Sequence, residues 1–148
     1  MSQELTLERN IDRLESAMTQ LPRAVMPLVH TFTPGLYTRQ ITMPAGSLVV
    51  SLTHKTEHPF IISKGMVSVW TENNGVKLLV APYQGVTKPG TRRILYVHED
   101  CVWTTFHPTT MTDPDKIVAE VTEPHEIKPL EDGEQGILER FLCKGVPC

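Results

Sequence analysis

Along the first part of the chain, apolar positions recur with a helical period. Leu7, Ile11, Leu14, Met18 and Leu21 follow one another at alternating spacings of four and three, with charged residues between them. That pattern predicts an amphipathic helix over residues 4 to 21, ended by Pro22 and Pro27. The stripe would either lie on the chain's own domain or, since the spacing is also that of a heptad, pair with a second copy across a dimer.

From about residue 29 the period changes to two. Runs rich in Val, Ile, Thr and Tyr alternate with turn signals: "GLYTRQITM" before "PAG", "SLVVSLTH", "HPFIIS" before "KG", "MVSVWT" before the hairpin signal "ENNG", then "VKLLVAP", "YQGVTKPG", "RRILYVHED" and "CVWTTFHPT". Roughly seven or eight short strands with no intervening helices predict a β-sandwich or barrel. In this reading "HED", His98 to Asp100, is a polar turn, and Trp70 and Trp103 sit on strands as core or interface residues. After Pro108 the chain turns polar and proline-containing, as expected of a wrapping segment with a short strand or helix, and "EQGILERFLCKG" predicts a final short helix. The expected organisation is a helical segment over 1–28, a β-barrel over 29–110 and a C-terminal wrap and tail over 111–148.

Composition narrows the classes. The 148 residues suit one domain with a real core, and 40% apolar with 21% charged residues is globular. A formal net charge of −3 does not fit a binder of nucleic-acid polymers. No apolar run reaches the ~20 residues that cross a bilayer, and the polar start "MSQELTLERN" is no signal peptide, so the cytoplasm is expected. Cys101, Cys143 and Cys148 are odd in number and match no common zinc spacing, which agrees with a reducing compartment; "CKGVPC" is taken as a tail. No phosphate loop, nucleophile elbow or HExxH helix is present.

One motif carries chemistry. Gly46 is followed after five residues by Leu52, after one more by His54, after three more by His58 and after six more by Gly65. Further on, "KPGTRR" places Pro89 and Gly90 just ahead of Arg93. In spacing, these segments resemble the two motifs of the cupin family, whose metal-binding motif runs Gly, His, His, Glu, Gly and then Pro, Gly, His. "HKTEHPFIISKGMVSVWT" and "TKPGTRRILYVHEDCVWTTFHPT" are also similar to small cupin-like proteins encoded by tailed phages. The resemblance covers roughly residues 31 to 108. It implies a mainly β fold, a cupin-type jelly-roll β-barrel flanked by an N-terminal α-helix and a short C-terminal helix. It also implies that His54 keeps a ligand position and His58 replaces the glutamate, while Leu52 and Arg93 replace histidines.

Under that frame His54, His58 and Arg93 point into the barrel. The first two are the metal candidates, but a catalytic metal needs a third protein ligand. Glu57 is turned away by strand alternation, and no motif places His98 or His107 inside. Arg93 cannot ligate, and its fixed charge repels a cation. The same charge favours an anion, since a guanidinium fork matches a carboxylate or phosphate. Leu52, Phe60 and Ile62 are expected to supply apolar wall, Tyr37 and Arg39 to add to the pocket, and the pair Arg92–Arg93 to split, with Arg92 outside in solvent. The ligand-binding candidates are therefore His54, His58, Arg93, Tyr37, Arg39 and Phe60. The expected function is non-catalytic binding of a small anionic molecule by a homodimer or larger homo-oligomer, with no cofactor required. For a phage protein in its host's cytoplasm, that means sequestering an anionic or nucleotide-derived signal, such as a carboxylate, sugar acid or nucleotide-like phosphate. The alternatives are a divalent-metal cupin enzyme (an isomerase, epimerase or dioxygenase) and a structural protein of a virion or assembly.

Overall fold

The fold was analysed in a computed structural model that describes residues 3–71 and 75–127, with side chains from residue 11 onward. The elements are α1 (Gln3–Met18), β1 (Leu28–Thr33), β2 (Leu36–Met43), β3 (Leu48–Val50), β4 (His58–Thr71), β5 (Gly75–Val80), β6 (Tyr83–Thr87), β7 (Arg93–Pro108) and α2 (Pro114–Val121). The final helix expected at "EQGILERFLCKG", the tail with Cys143 and Cys148, and most of the "ENNG" turn lie outside the described residues. No described helix is long and apolar enough to cross a membrane.

All the strands pair antiparallel, and two long ones form the spine. β4 and β7 pair along most of their length. The first half of β4 also pairs with β6 and its second half with β5. β7 pairs first with β3 and then with β2, whose free side carries β1. Each long strand thus changes partner midway, which rolls one sheet into the two faces of a jelly roll of the cupin type. The sequence signals "KG" and "HED" fall inside β4 and β7 and mark a shared bend. Pairing slips between Ile62 and Val67, the signature of bulges, which bend a strand and raise its twist. Gly65 sits there with φ +95°, and a Cβ on it would come within 2.3 Å of the Asp100 carbonyl oxygen. Asp100 is tied in turn by Oδ1 accepting from the Ala45 amide at 2.8 Å.

The core follows the alternation of the strands. Met43, Phe60, Ile62, Val67, Leu95, Val97, Cys101 and Trp103 fill the interior between the two faces. A second cluster lies outside it, where Ile11 and Leu14 of α1 bury against Ile94, with Met18, Leu48, Val50 and Trp70 around them. The apolar stripe of α1 therefore covers its own domain. The helix stops at Met18, and the turn that follows is closed by three-residue hydrogen bonds such as Leu21 N to Met18 O at 3.0 Å. Pro22 disfavours helical backbone at the residue before it, and Leu21 is left exposed. In the wrapping segment, α2 starts at Pro114 with Asp113 as its N-cap, accepting from the Asp115 amide at 3.1 Å. It returns the chain across the sheet, where Lys55 N donates to Val121 O at 2.7 Å and Glu123 N to Thr53 O at 2.8 Å.

Two glycine substitutions separate strain from clash. Gly65→Ala meets both a left-handed φ and a backbone oxygen, and is expected to lower unfolding free energy by more than ~2 kcal/mol. Gly46→Ala has φ +84° but open space around it, so its cost is expected to stay at about 1–2 kcal/mol. Urea unfolding of the two variants checks the order.

Candidate functional site

Strand parity decides which side chains meet. On β2, the inward positions are Tyr37, Arg39, Ile41 and Met43; on β7 they include Arg93, Leu95, Trp103, Thr105 and His107. The β2–β7 register sets Tyr37 opposite His107, Arg39 opposite Thr105 and Ile41 opposite Trp103. His58 opens β4, and His54 lies just before it, bridged to Thr122. Ile117, Val118, Val121 and Thr122 of the returning segment close over the top. The result is a cavity of about 270 Å³.

Five of the six residues expected to bind a ligand line this cavity: His54, His58, Arg93, Tyr37 and Arg39. Phe60 does not. It is buried behind Arg93, stacked on Trp103 with centroids 4.6 Å apart, and the Arg93 guanidinium lies 5.0 Å from its ring centre. Ile62 is likewise core rather than wall, whereas Leu52 does line the cavity. Glu57 points out and pairs with Lys88, and His98 is bonded to Ser68 Oγ at 2.7 Å away from the cavity. Arg92 departs from expectation. It is only 7% exposed, because α1 covers it. Its Nη1 donates to Asp12 at 2.7 Å, its Nη2 lies 3.2 Å from Glu15, and His125 completes the group.

Sequence reasoning left His107 unplaced, yet it lies at the centre of the ring system. Its ring centroid is 4.4 Å from His58 and 5.8 Å from Tyr37, and His54 is 5.0 Å from His58. The signal was present in the period of two: Trp103, Thr105 and His107 share a face. Tyr37 is held from outside by His30, whose Nδ1 lies 2.6 Å from the phenol oxygen.

The electrostatics are one-sided. Among the described residues no carboxylate lines the cavity. Arg93 makes one side-chain hydrogen bond, Nη2 to Thr87 Oγ1 at 3.0 Å, and stacks on Phe60 and Trp103, with no ion pair among the described residues. Burial, then the neighbouring His58, Arg93, His107 and Arg39, push the His54 pKa down to about 4. Burial, then His58 and Arg39, bring His107 to about 4 as well. His58 is also lowered, by burial foremost and by Arg93, against the opposing bond to the Thr56 carbonyl. All three imidazoles are therefore neutral near pH 7. A carbonyl can only accept, so the 3.1 Å contact to Thr56 places the His58 proton on Nδ1 and leaves Nε2 bare. Among the described residues that Nε2 has no partner, and neither do His54 Nδ1 and His107 Nδ1, all three buried. Orphaned buried polar atoms are rare enough to point to something that fills the space.

Neutral imidazole is the ligating form, so the donors suit a divalent ion in chemistry. They do not suit it in arrangement. The described residues contain one group of three ligating side chains with donor atoms within 4.8 Å of one another, and it is Asp12, Glu15 and His125. Arg92 already meets that group's charge. In the cavity the histidines fall short of such convergence, and two guanidiniums share their space. As the side chains stand, the cavity does not fit a metal.

No family model matches the chain, and no curated protein does. Solved structures do. The DMSP lyase DddQ of Ruegeria pomeroyi matches with a TM-score of 0.50 at 14% identity, over 64% of this chain and 55% of that one. A cupin-2 domain protein of Shewanella frigidimarina matches with a TM-score of 0.46 at 11% identity, over 70% of this chain and 99% of that one. The Cnp3 cupin domain of Schizosaccharomyces pombe gives 0.48 at 15% identity, over 63% and 68%. At such identities the likeness to the lyase concerns the fold and not the reaction.

The lowered histidines have a consequence for stability. Their folded pKa values lie below the unfolded value of about 6.5, so the unfolded chain binds more protons as acid is added. Stability is then full above about pH 6.5 and falls as pH drops toward 4. Thermal unfolding between about pH 6.5 and 5, above most carboxylate titration, is expected to show that fall. The fall is expected to be smaller in His54→Asn and His107→Asn. Ring resonances of His54 and His107 that report neutral imidazole at about pH 5.5 check the assignment directly.

Proposed function

We propose that this chain binds a small anionic molecule in its barrel cavity and does not transform it. The observation that carries this reading is Arg93, a guanidinium facing a cavity without carboxylates, braced by Phe60, Trp103 and Thr87 and left without a counter-charge. Two rings and a hydroxyl hold the fork in place, so an arriving anion meets donors that are already positioned. Arg39 adds a second positive charge, and His54, His58 and His107 line the same cavity. Among the described residues no carboxylate lines the cavity to act as general base, although the Thr105 hydroxyl lies 2.9 Å from His107 Nε2. The resemblance to phage-encoded proteins adds a setting, in which binding serves to sequester a host signal. A homo-oligomer belongs to the same proposal.

A second reading has one observation behind it. His54, His58 and His107 line one cavity, each with a buried nitrogen that has no hydrogen-bond partner among the described residues, and His107 would give the third ligand that His54 and His58 lack. The charges of Arg39 and Arg93 and the spacing of the donors weigh against it. Bound metal in this place would supply Lewis-acid chemistry and make the enzyme alternative lead.

The two readings differ in the sign of their pH dependence. An anion raises the pKa of the imidazoles it approaches, so anion binding takes up protons and tightens as pH falls from about 7 to 5. A metal competes with protons for the same nitrogens and binds more tightly as pH rises. Calorimetry in buffers of different ionisation enthalpy, on protein purified without chelator or histidine tag, is expected to show proton uptake with carboxylate probes. Arg93→Ala is expected to weaken binding at least tenfold, about 1.4 kcal/mol, with the melting temperature of the ligand-free protein unchanged. Near-stoichiometric metal in the same preparation, lost in His54→Ala or His58→Ala, would falsify the anion reading.

A further inference from the structure

We infer that the ligand is a small amphipathic monocarboxylate, with its head at the arginine and histidine end and an apolar body, rather than a whole nucleotide. The inference rests on the anion reading and narrows it.

The first argument is the gradient of polarity along the β2–β7 ladder. Successive inward rungs are Tyr37 with His107, Arg39 with Thr105, Ile41 with Trp103, and Met43 with Cys101. Inward rungs are two residues apart, about 6.8 Å in antiparallel strands. The wall therefore changes from rings and guanidinium to fully apolar within two steps. The β3–β7 ladder repeats the change, because Arg93 is followed on its inward face by Leu95, which pairs with Val49. The roof contributed by α2 is also mostly apolar. A ligand polar throughout, such as a sugar phosphate, would leave its hydroxyls unpaired against Ile41, Met43, Val49 and Leu95, and unpaired buried hydroxyls are costly. A carboxylate on a hydrocarbon body leaves none.

The second argument is size. A cavity of about 270 Å³ lies at the small end of the ~300–1,000 Å³ range of ligand sites, which favours a compact ligand. A carboxyl group on a six-membered ring or a short branched chain is of that scale. The fork of a single braced guanidinium also matches one carboxylate edge.

The test uses the full chain at about pH 6, between the lowered histidines and the ordinary value. Benzoate, isovalerate, acetate, inorganic phosphate, AMP and the uncharged benzamide are titrated by calorimetry and followed by thermal unfolding. Benzoate and isovalerate are expected to bind at least tenfold more tightly than acetate, phosphate or AMP, and benzamide not to bind. Val49→Phe, which fills the apolar end, is expected to lose benzoate while keeping its melting temperature. Ile41→Phe serves the same purpose if Val49→Phe fails to fold. Binding of AMP or phosphate in preference to benzoate overturns the ligand class and leaves the anion reading standing. Benzamide binding as tightly as benzoate overturns both. Absence of binding by every carboxylate overturns the inference, and stoichiometric metal in that sample removes the anion reading with it.

Discussion

The pairing of β4 with β7 through a shared bend is the constraint on which the remaining structure depends. Both strands must turn at the same level, and they do so where Gly65 passes under the carbonyl oxygen of Asp100. Any side chain at that point would force the two backbones apart. The bend lets each strand pair on one face with one neighbour and on the other face with another, and so closes the core. It also changes phase. Before it, even-numbered residues of β4 point inward (His58, Phe60, Ile62); after it, odd-numbered ones do (Val67, Val69). A slip of one residue reverses every side chain beyond it, which is why the bulged register is as informative as the strands themselves.

β7 turns Arg93, Leu95 and Val97 inward before the bend and Cys101, Trp103, Thr105 and His107 inward after it, with Glu99 and Asp100 exposed between them. Its two neighbouring arginines are consequently sent to opposite places. Arg92 goes under α1, where Asp12 and Glu15 neutralise it and His125 ties the N-terminal helix to the segment after α2. Arg93 goes into the cavity, where no acid among the described residues answers it. Buried charge without a partner is ordinarily costly. Here the cost is moderated by stacking on two aromatic faces, a hydroxyl acceptor and partial exposure to the cavity. An anion in the cavity would remove what remains of that cost, so affinity and the positioning of Arg93 have one physical origin.

The same positive field acts on the imidazoles. Burial and neighbouring guanidiniums keep His54 and His107 neutral well below the usual histidine range. The site is thus rich in nitrogen and poor in protons. Such a set can ligate a metal or accept a proton when an anion arrives, and what separates the two outcomes is the fixed charge at Arg93 and Arg39. Arg93 is a guanidinium that cannot ligate, so this one residue sets the charge of the whole cavity.

Much of this was legible in the chain. The heptad-like stripe determined a helix with one apolar side, which the structure ends at Met18 and buries through Ile11 and Leu14. The period of two from residue 29 to Pro108 determined the β class, while it was the family resemblance carried by Gly46 to Gly65 that implied a shared pocket for His54 and His58. These are local or evenly spaced patterns, which the chain's geometry enforces wherever the elements end up. Other features were decided by tertiary structure. "KG" and "HED" carry turn chemistry, yet become bends because each lies opposite the other across the β4–β7 pair. Arg92 looks exposed by composition and is buried because α1 lands on it. His107 has no motif around it and enters the site because β2 pairs with β7 in a register that no local signal specifies. Phe60 leaves the wall because Trp103, forty-three residues away in sequence, stacks on it. Local chemistry determined the elements and their faces, while long-range register, set by closing the core, decided which faces meet.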